Sequence, residues 1–142
     1  MPNTTQTPNF YLDQLLPYLS GGEFKCLMYA VRKIYGWRKT RERLSLKQFS
    51  SGQTGRDNGT GIAPTTCREH LKALCAFGIL RIANANDRNN HGPEYELEQD
   101  TEALNWAALN ERLETANRAR EEAARKARVR TEGGGLQGRR HP

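Results

Sequence analysis

Residues 64–97 read PTTCREHLKALCAFGILRIANANDRNNHGPEYEL, and this stretch decides the fold. Pro64 stands where a helix tolerates proline, at the first position, whose N–H has no intrahelical acceptor in any case. Cys67, Leu71, Leu74 and Cys75 follow at spacings of three and four as one buried stripe, and Gly78 ends the helix near residue 77. Ile79 to Ile82 then reads as a strand, NANDRNNHG (84–92) as a polar hairpin loop, and Glu94 to Leu97 as the returning strand. A helix running straight into a two-stranded ribbon predicts a helix with a wing beside it.

The elements upstream complete the pattern. Ser20-Gly-Gly-Glu23 has capping-box spacing, and Phe24, Leu27, Met28, Val31, Ile34 and Tyr35 form an apolar stripe stopped by Gly36, which predicts a first major helix over 21–35. Before it, Phe10, Leu12, Leu15 and Leu16 meet Pro17, so residues 1–20 form an arm with at most a short helix. Arg43 to Leu46 reads as a short strand, and Ser45 with Gln48 repeats the capping-box spacing for a brief second helix through Phe49. SGQTGRDNGTG (51–61) holds four glycines and no apolar residue, so it is a loop. The order helix, strand, helix, helix, strand, wing, strand gives a mainly α fold with a small β-hairpin wing, a winged helix-turn-helix over 21–98.

From Asp100 to about Arg130 the sequence turns to Ala, Glu and Arg, good helix formers, and predicts a long charged C-terminal helix. Leu104, Trp106, Leu109 and Leu113 give its first half something to bury; past Ala116 the apolar positions are nearly all alanine. That far half projects into solvent or awaits a partner. Leu109, Leu113, Ala116, Ala123 and Ala127 approximate a heptad seam and suggest a weak homodimer. Residues 131–142, TEGGGLQGRRHP, are expected to be a disordered tail.

A chain of 142 residues has room for one domain and an extension. It carries no apolar run long enough for a bilayer, and MPNTTQTPNF lacks the basic and apolar regions of a secretory signal, so a cytoplasmic protein with no membrane contact is expected. Cys67 and Cys75, eight residues apart on one helix, lie about 12 Å apart, too far for a disulfide. Cys26 reads as a core thiol. The net charge of +6 and pI near 9.5 favour a polyanionic partner. Between Arg32 and Lys47 the chain holds Arg32, Lys33, Arg38, Lys39, Arg41, Arg43 and Lys47 against the single acid Glu42.

If Cys67, Leu71 and Leu74 face inward, the third helix turns Thr65, Thr66, Arg68, Glu69 and Lys72 outward. In a winged helix that face enters the major groove of double-stranded DNA. Arg68 then has the fork geometry for guanine O6 and N7, while Thr65, Thr66 and Lys72 suit phosphates. Arg88 and His91 on the wing tip can reach a minor groove or a phosphate. Arg38, Lys39, Arg41 and Arg43 can clamp the backbone, with Arg56 of the glycine-rich loop as a further cation. A plain amphipathic helix with a wetted polar face has the same pattern. Enzymatic readings find little: the glycine-rich loop lacks the Gly-Lys-Ser/Thr ending of a phosphate-binding loop, Cys67 and His70 have no second pair to complete a zinc site, and no nucleophile–base pair stands out. A non-enzymatic protein without metal or cofactor is expected.

Thr7-Pro8-Asn9, Leu12-Asp13, Leu15-Leu16-Pro17, Leu19-Ser20-Gly21 with Glu23 and Lys25, Arg32-Lys33-Ile34-Tyr35-Gly36-Trp37, Leu44-Ser45-Leu46 and Phe77-Gly78-Ile79-Leu80 together resemble a known pattern. Over about residues 7–97 the chain is similar to the N-terminal winged-helix domain of phage replication protein O and related replication initiators. That resemblance implies binding to repeated sites at a phage or plasmid origin, with the third helix as reader. The chain departs from the family in its glycine-rich 51–61 insertion and in Ala63, where a compact turn and a serine cap are usual. In place of the family's helicase-recruiting second half stands the 100–130 helix. The expected role is duplex binding in replication initiation or transcriptional regulation of a mobile element. The alternative is a non-enzymatic interaction subunit of a nucleoprotein complex, docking a replication or other complex protein through the winged helix and the C-terminal helix.

Overall fold

A computed structural model describes residues 4–140, with side chains through Thr131. The capping box at Ser20 forms as its spacing requires. The Ser20 hydroxyl accepts from the Glu23 amide at 3.2 Å and the Ser20 amide donates to Glu23 Oε1 at 2.9 Å, which starts helix α2 (Gly21–Ile34). Its inner face, Cys26, Leu27, Ala30, Val31 and Ile34, is the middle of the core. The preceding arm belongs to that core as well. Within it, α1 (Asn9–Asp13) buries Phe10 and Tyr11, and the Tyr11 hydroxyl donates to the Glu98 carbonyl at 2.7 Å. The phenol is held far above its ordinary titration range by burial and by the nearby Tyr35 and Glu98.

After a short 3₁₀ turn at Tyr35–Trp37, Arg38 adopts the left-handed conformation and the chain enters β1 (Arg41–Arg43). The sequence places this strand over 43–46, two residues too late. Ser45 is taken as the cap of α3 (Leu46–Ser51), accepting from the Gln48 amide while its own amide donates to Gln48 Oε1, so no ladder can run past Leu44. Helix α4 (Pro64–Ala76), β2 (Leu80–Asn84) and β3 (Glu94–Leu97) follow, close to their expected bounds. The three strands form one antiparallel sheet in the order β1-β3-β2, with Arg41 opposite Glu96 and Ile82 opposite Tyr95. The architecture is a winged helix-turn-helix, mainly α with a small β wing.

The glycine-rich loop is built around one acid. Asp57 pairs with Lys33 of α2, accepts from the Tyr29 hydroxyl at 3.1 Å and accepts from the Gly59 amide at 3.0 Å. Burial alone raises its carboxyl, yet Lys33 and the Gly59 amide outweigh burial and hold it below the usual carboxylate range. Lys33 also donates to Gln53 Oε1 at 2.8 Å, and the amides of Thr60 and Gly61 return to the carbonyls of Phe49 and Ser50. Gly59 is needed where the loop folds back on itself: its φ is +69°, and a Cβ there would lie 2.5 Å from the Gly52 nitrogen.

At the other end, the helix expected from residue 100 begins later. Asp100 caps a 3₁₀ turn at Thr101–Ala103, Leu104 drops into the core in extended backbone, and the Trp106 indole N–H donates to the Thr101 carbonyl at 2.7 Å. Helix α5 then runs Trp106–Arg140, past the end expected near Arg130. Leu109 is fully buried against the domain rather than free for a heptad seam, and Ala123 and Ala127 are exposed. Most of the tail expected over 131–142 lies outside the residues whose side chains are described. Among the described residues, no helix is long and apolar enough to cross a membrane.

Arg112 fastens α5 to the domain. Its guanidinium forms a two-pronged pair with the buried Glu23 carboxylate, donates to the Tyr18 carbonyl at 3.3 Å and lies 4.7 Å from the Phe77 ring centroid. Burial pushes the Glu23 carboxyl up, but Arg112 and the Ser20 amide more than offset this and leave it below its ordinary value of 4.5. A lowered folded-state value means stability that is complete above the ordinary range and is lost as pH falls through it. Glu23→Gln is expected to cost about 1–3 kcal/mol at neutral pH, because Arg112 loses its counter-charge. Urea unfolding should show the wild type losing stability between about pH 5 and pH 3 faster than the variant. Gly59→Ala is expected to cost about 2–3 kcal/mol through its left-handed backbone and crowded Cβ, read by the same titration at pH 7.

Candidate nucleic-acid interface

Helix α4 presents two different sides. Cys67, Leu71 and Leu74 are buried, whereas Thr65, Thr66, Arg68, Glu69 and Lys72 are all exposed and covered neither by the glycine-rich loop nor by α5. The buried side explains the cysteines. Cys26 and Cys67 are neighbours in the core, and burial together with Cys67 pushes the Cys26 thiol up to about 12, so Cys26 does not behave as a reactive thiolate. His70 is partly buried with its ring against Gly22, which leaves no room for a Cβ there.

Between the outer side of α4 and the wing lies a groove of about 650 Å³. Arg68, Leu71, Lys72 and Cys75 form one wall, Ile82, Asn86 and Asn90 of the hairpin the other, and Ser45, Leu46 and Lys47 of α3 close the end. Ile82, half exposed, gives the hairpin wall an apolar patch. Lys47, Asn86 and Asn90 are absent from the site residues expected from sequence. Their signal is only indirect: Lys47 sits in the first turn after a capping box, where a second helix-turn-helix helix meets a phosphate backbone.

The expected cations divide into engaged and unengaged groups. Arg41 pairs with Glu94 and Glu96 across the sheet, and Arg81 pairs with Glu96 and Glu98. Lys39 pairs with Glu42, and His91 with Asp87 at 2.7 Å. Arg43 turns inward to the wing, where its Nη1 donates to the carbonyls of Ala85 at 2.9 Å and Gly92 at 3.0 Å. Lys72 and Glu69 approach at 3.5 Å, but both are about two-thirds exposed, so the pair is worth little. Among the described residues, no carboxylate pairs with Lys47, Arg56, Arg68 or Arg88.

Position separates them too. Arg38 and Lys39 border an open cleft of about 1010 Å³ with Thr4 to Phe10 of the arm, at the end of the sheet opposite the wing tip. Arg56 lies over the Trp37 ring, 5.6 Å from its centroid. Of the expected cations, Arg68 and Lys72 belong to α4 and Arg88 and His91 to the hairpin loop, and Lys47 of α3 lies beside them. The twelve expected site residues are therefore not brought to one surface. Thr65, Thr66, Arg68, Glu69 and Lys72 share one face, Arg88 and His91 the wing tip beside it, and the remainder lie on the sheet or near the end of α2.

The described residues hold no group of three or more His, Cys, Asp or Glu able to hold a metal ion. No family model, curated protein or solved structure matches the chain.

Arg43 is placed to hold the wing upright, since two carbonyls from opposite sides of the hairpin loop converge on one guanidinium nitrogen. Arg43→Ala is expected to lower hydrogen-exchange protection of amides in residues 84–94 by about 1–2 kcal/mol while sparing α2. Equal loss of protection in both regions would show that Arg43 supports the whole fold rather than the wing.

Proposed function

We propose that the chain binds double-stranded DNA, laying α4 in the major groove with the wing alongside, and performs no catalysis. The observation that carries this reading is the distribution of uncancelled charge. Lys47 and Arg68 line the α4–wing groove and Arg88 stands on the tip above it, none with a carboxylate partner among the described residues, while the sheet cations Arg41 and Arg81 are neutralised by Glu94, Glu96 and Glu98. A helix of about 10–12 Å diameter fits the roughly 12 Å major groove. Arg68 reads guanine by its two-pronged geometry, Thr65, Thr66, Lys47 and Lys72 take phosphates, and Asn86, Asn90 and Arg88 follow the strand beside the wing.

The likeness of residues 7–97 to the N-terminal domain of phage replication protein O gives this binding a context: origin recognition in replication of a phage, plasmid or other mobile element, with transcriptional regulation as the related role. The exposed far half of α5 is then the part left for another protein of that complex.

Selection of bound sequences from a random duplex pool should return a preferred motif containing guanine. Arg68→Ala is expected to weaken that motif by about 1–3 kcal/mol and relax preference at one base. Lys47→Ala should weaken all duplexes alike and reduce the slope of log Kobs against log salt by about 0.9. If both variants bind as the wild type does, the α4–wing groove is not the DNA surface.

A further inference from the structure

The segment Arg43 to Gln48 separates two concavities. Ser45, Leu46 and Lys47 face the α4–wing groove, while Arg43, Leu44 and Gln48 line a second cavity of about 160 Å³. We propose that this cavity is an anion site whose ligand is a backbone phosphate of the DNA strand leaving the groove. The proposal rests on the duplex-binding reading and extends its footprint across α3.

The cavity offers donors. Gln48 Oε1 already accepts from the Ser45 amide, and Gln53 Oε1, on the opposite wall, accepts from Lys33 Nζ, each at 2.8 Å. What the two glutamines have left is their NH₂ groups. The charges point the same way. Lys33 and Lys39 also line the cavity, but Asp57 and Glu42 neutralise them. Arg43 spends one nitrogen on two neutral carbonyls, and Arg56 rests against a neutral indole. Asp87 is near enough to sense Arg43, yet its carboxylate is engaged by the amide and ring of His91. Arg43 and Arg56, neither paired with a carboxylate among the described residues, therefore line this small cavity, and its one lining carboxylate, Glu42, is already paired with Lys39.

Trp37 accounts for the placement of Arg56. The indole sits on the 3₁₀ turn after α2, 45% exposed, and its face holds a guanidinium that arrives on a separate loop. The same loop is tied to α2 by Asp57 and Lys33, so Arg56 is presented by a fixed strut. Groove and cavity stand on two sides of the segment Arg43–Gln48, so a strand held by Lys47 in the groove passes the cavity with its neighbouring phosphates.

The test uses the full chain and Arg56→Gln, an exposed position whose change leaves the Asp57 anchor in place. Inorganic phosphate titrated into ¹⁵N-labelled wild type should shift the Trp37 indole N–H and the Gln48 and Gln53 side-chain amides together and saturably, and should leave them still in the variant. With a 30-base-pair random duplex, the variant should lose about 0.9 from the salt slope and bind about five- to tenfold more weakly at 0.1 M salt. Phosphate shifts with an unchanged DNA slope would mean that the cavity takes free phosphate and would overturn the DNA assignment. No shift and no slope change would overturn the site altogether. If Lys47→Ala and Arg68→Ala also leave the slope untouched, it is the duplex-binding reading that fails; if they reduce it and Arg56→Gln does not, only the second site falls.

Discussion

The ion pair between Lys33 and Asp57 ties the loop that leads into α4 back onto α2. Helix α4 has no side-chain cap, since Ala63 stands at that position, and Pro64 marks where the helix starts without fixing the direction in which the chain leaves the loop. Direction comes instead from Asp57, which gathers Lys33, Tyr29 and the Gly59 amide and so closes residues 52–59 into a fixed arch. A partly buried ion pair is poor evidence for stability, because desolvating the two charges cancels much of their attraction. Its value here is geometric. Whether the exposed side of α4 meets the wing as a groove depends on how α4 packs on α2 and α3, and the loop that carries the chain from α3 into α4 is fastened to α2 as well.

A second constraint acts on charge. The domain has more cations than a fold of this size needs, and it neutralises them selectively. Three glutamates of β3 and its extension, Glu94, Glu96 and Glu98, absorb Arg41 and Arg81 on the sheet. Arg112 is consumed by Glu23 beneath α5. Unpaired guanidinium and ammonium groups consequently remain around the segment Arg43–Gln48 and along α4. Net charge alone says little about partners; local charge that the protein declines to cancel is a stronger argument, because cancellation by a nearby glutamate is easily available elsewhere in the same fold.

Helices α2 and α4 were legible in the sequence to within a residue, since each has a 3.6-residue apolar stripe and a start signal that acts locally. The returning strand β3 was equally plain. Local signals fail where long-range partners decide. The strand near residue 43 was placed late because Ser45 can serve a ladder or a cap, and only the pairing of Arg41 with Glu96 shows which it does. Residues 100–105 have helical composition, but burying Leu104 and satisfying the Trp106 indole hold them in a turn. At the candidate site, the outward set on α4 followed from periodicity. Arg43 was expected there as a backbone clamp, but its hold on the wing was not legible, for its two carbonyl partners lie 42 and 49 residues away. Asp57 in a polar loop looked like any turn residue.

The arch and the selective neutralisation converge on one consequence for how such a surface works. Arg56 and α4 are carried by the same loop, and the loop is anchored through Lys33 to the helix that runs into the Trp37 turn. Any force that shifts the arch moves the start of α4 and the Arg56 guanidinium together, relative to Lys47 on α3. The spacing between the two sides of α3 is thus set by packing inside the domain and not by the ligand. A polyanion with regular charge spacing satisfies both sides at once only if its repeat matches that distance, whereas a disordered acidic chain has to give up conformational entropy to do so. On the proposed reading, a rigid arrangement of unpaired cations across α3 suits a partner as regular as itself, which is the property that distinguishes a nucleic-acid duplex from an acidic peptide.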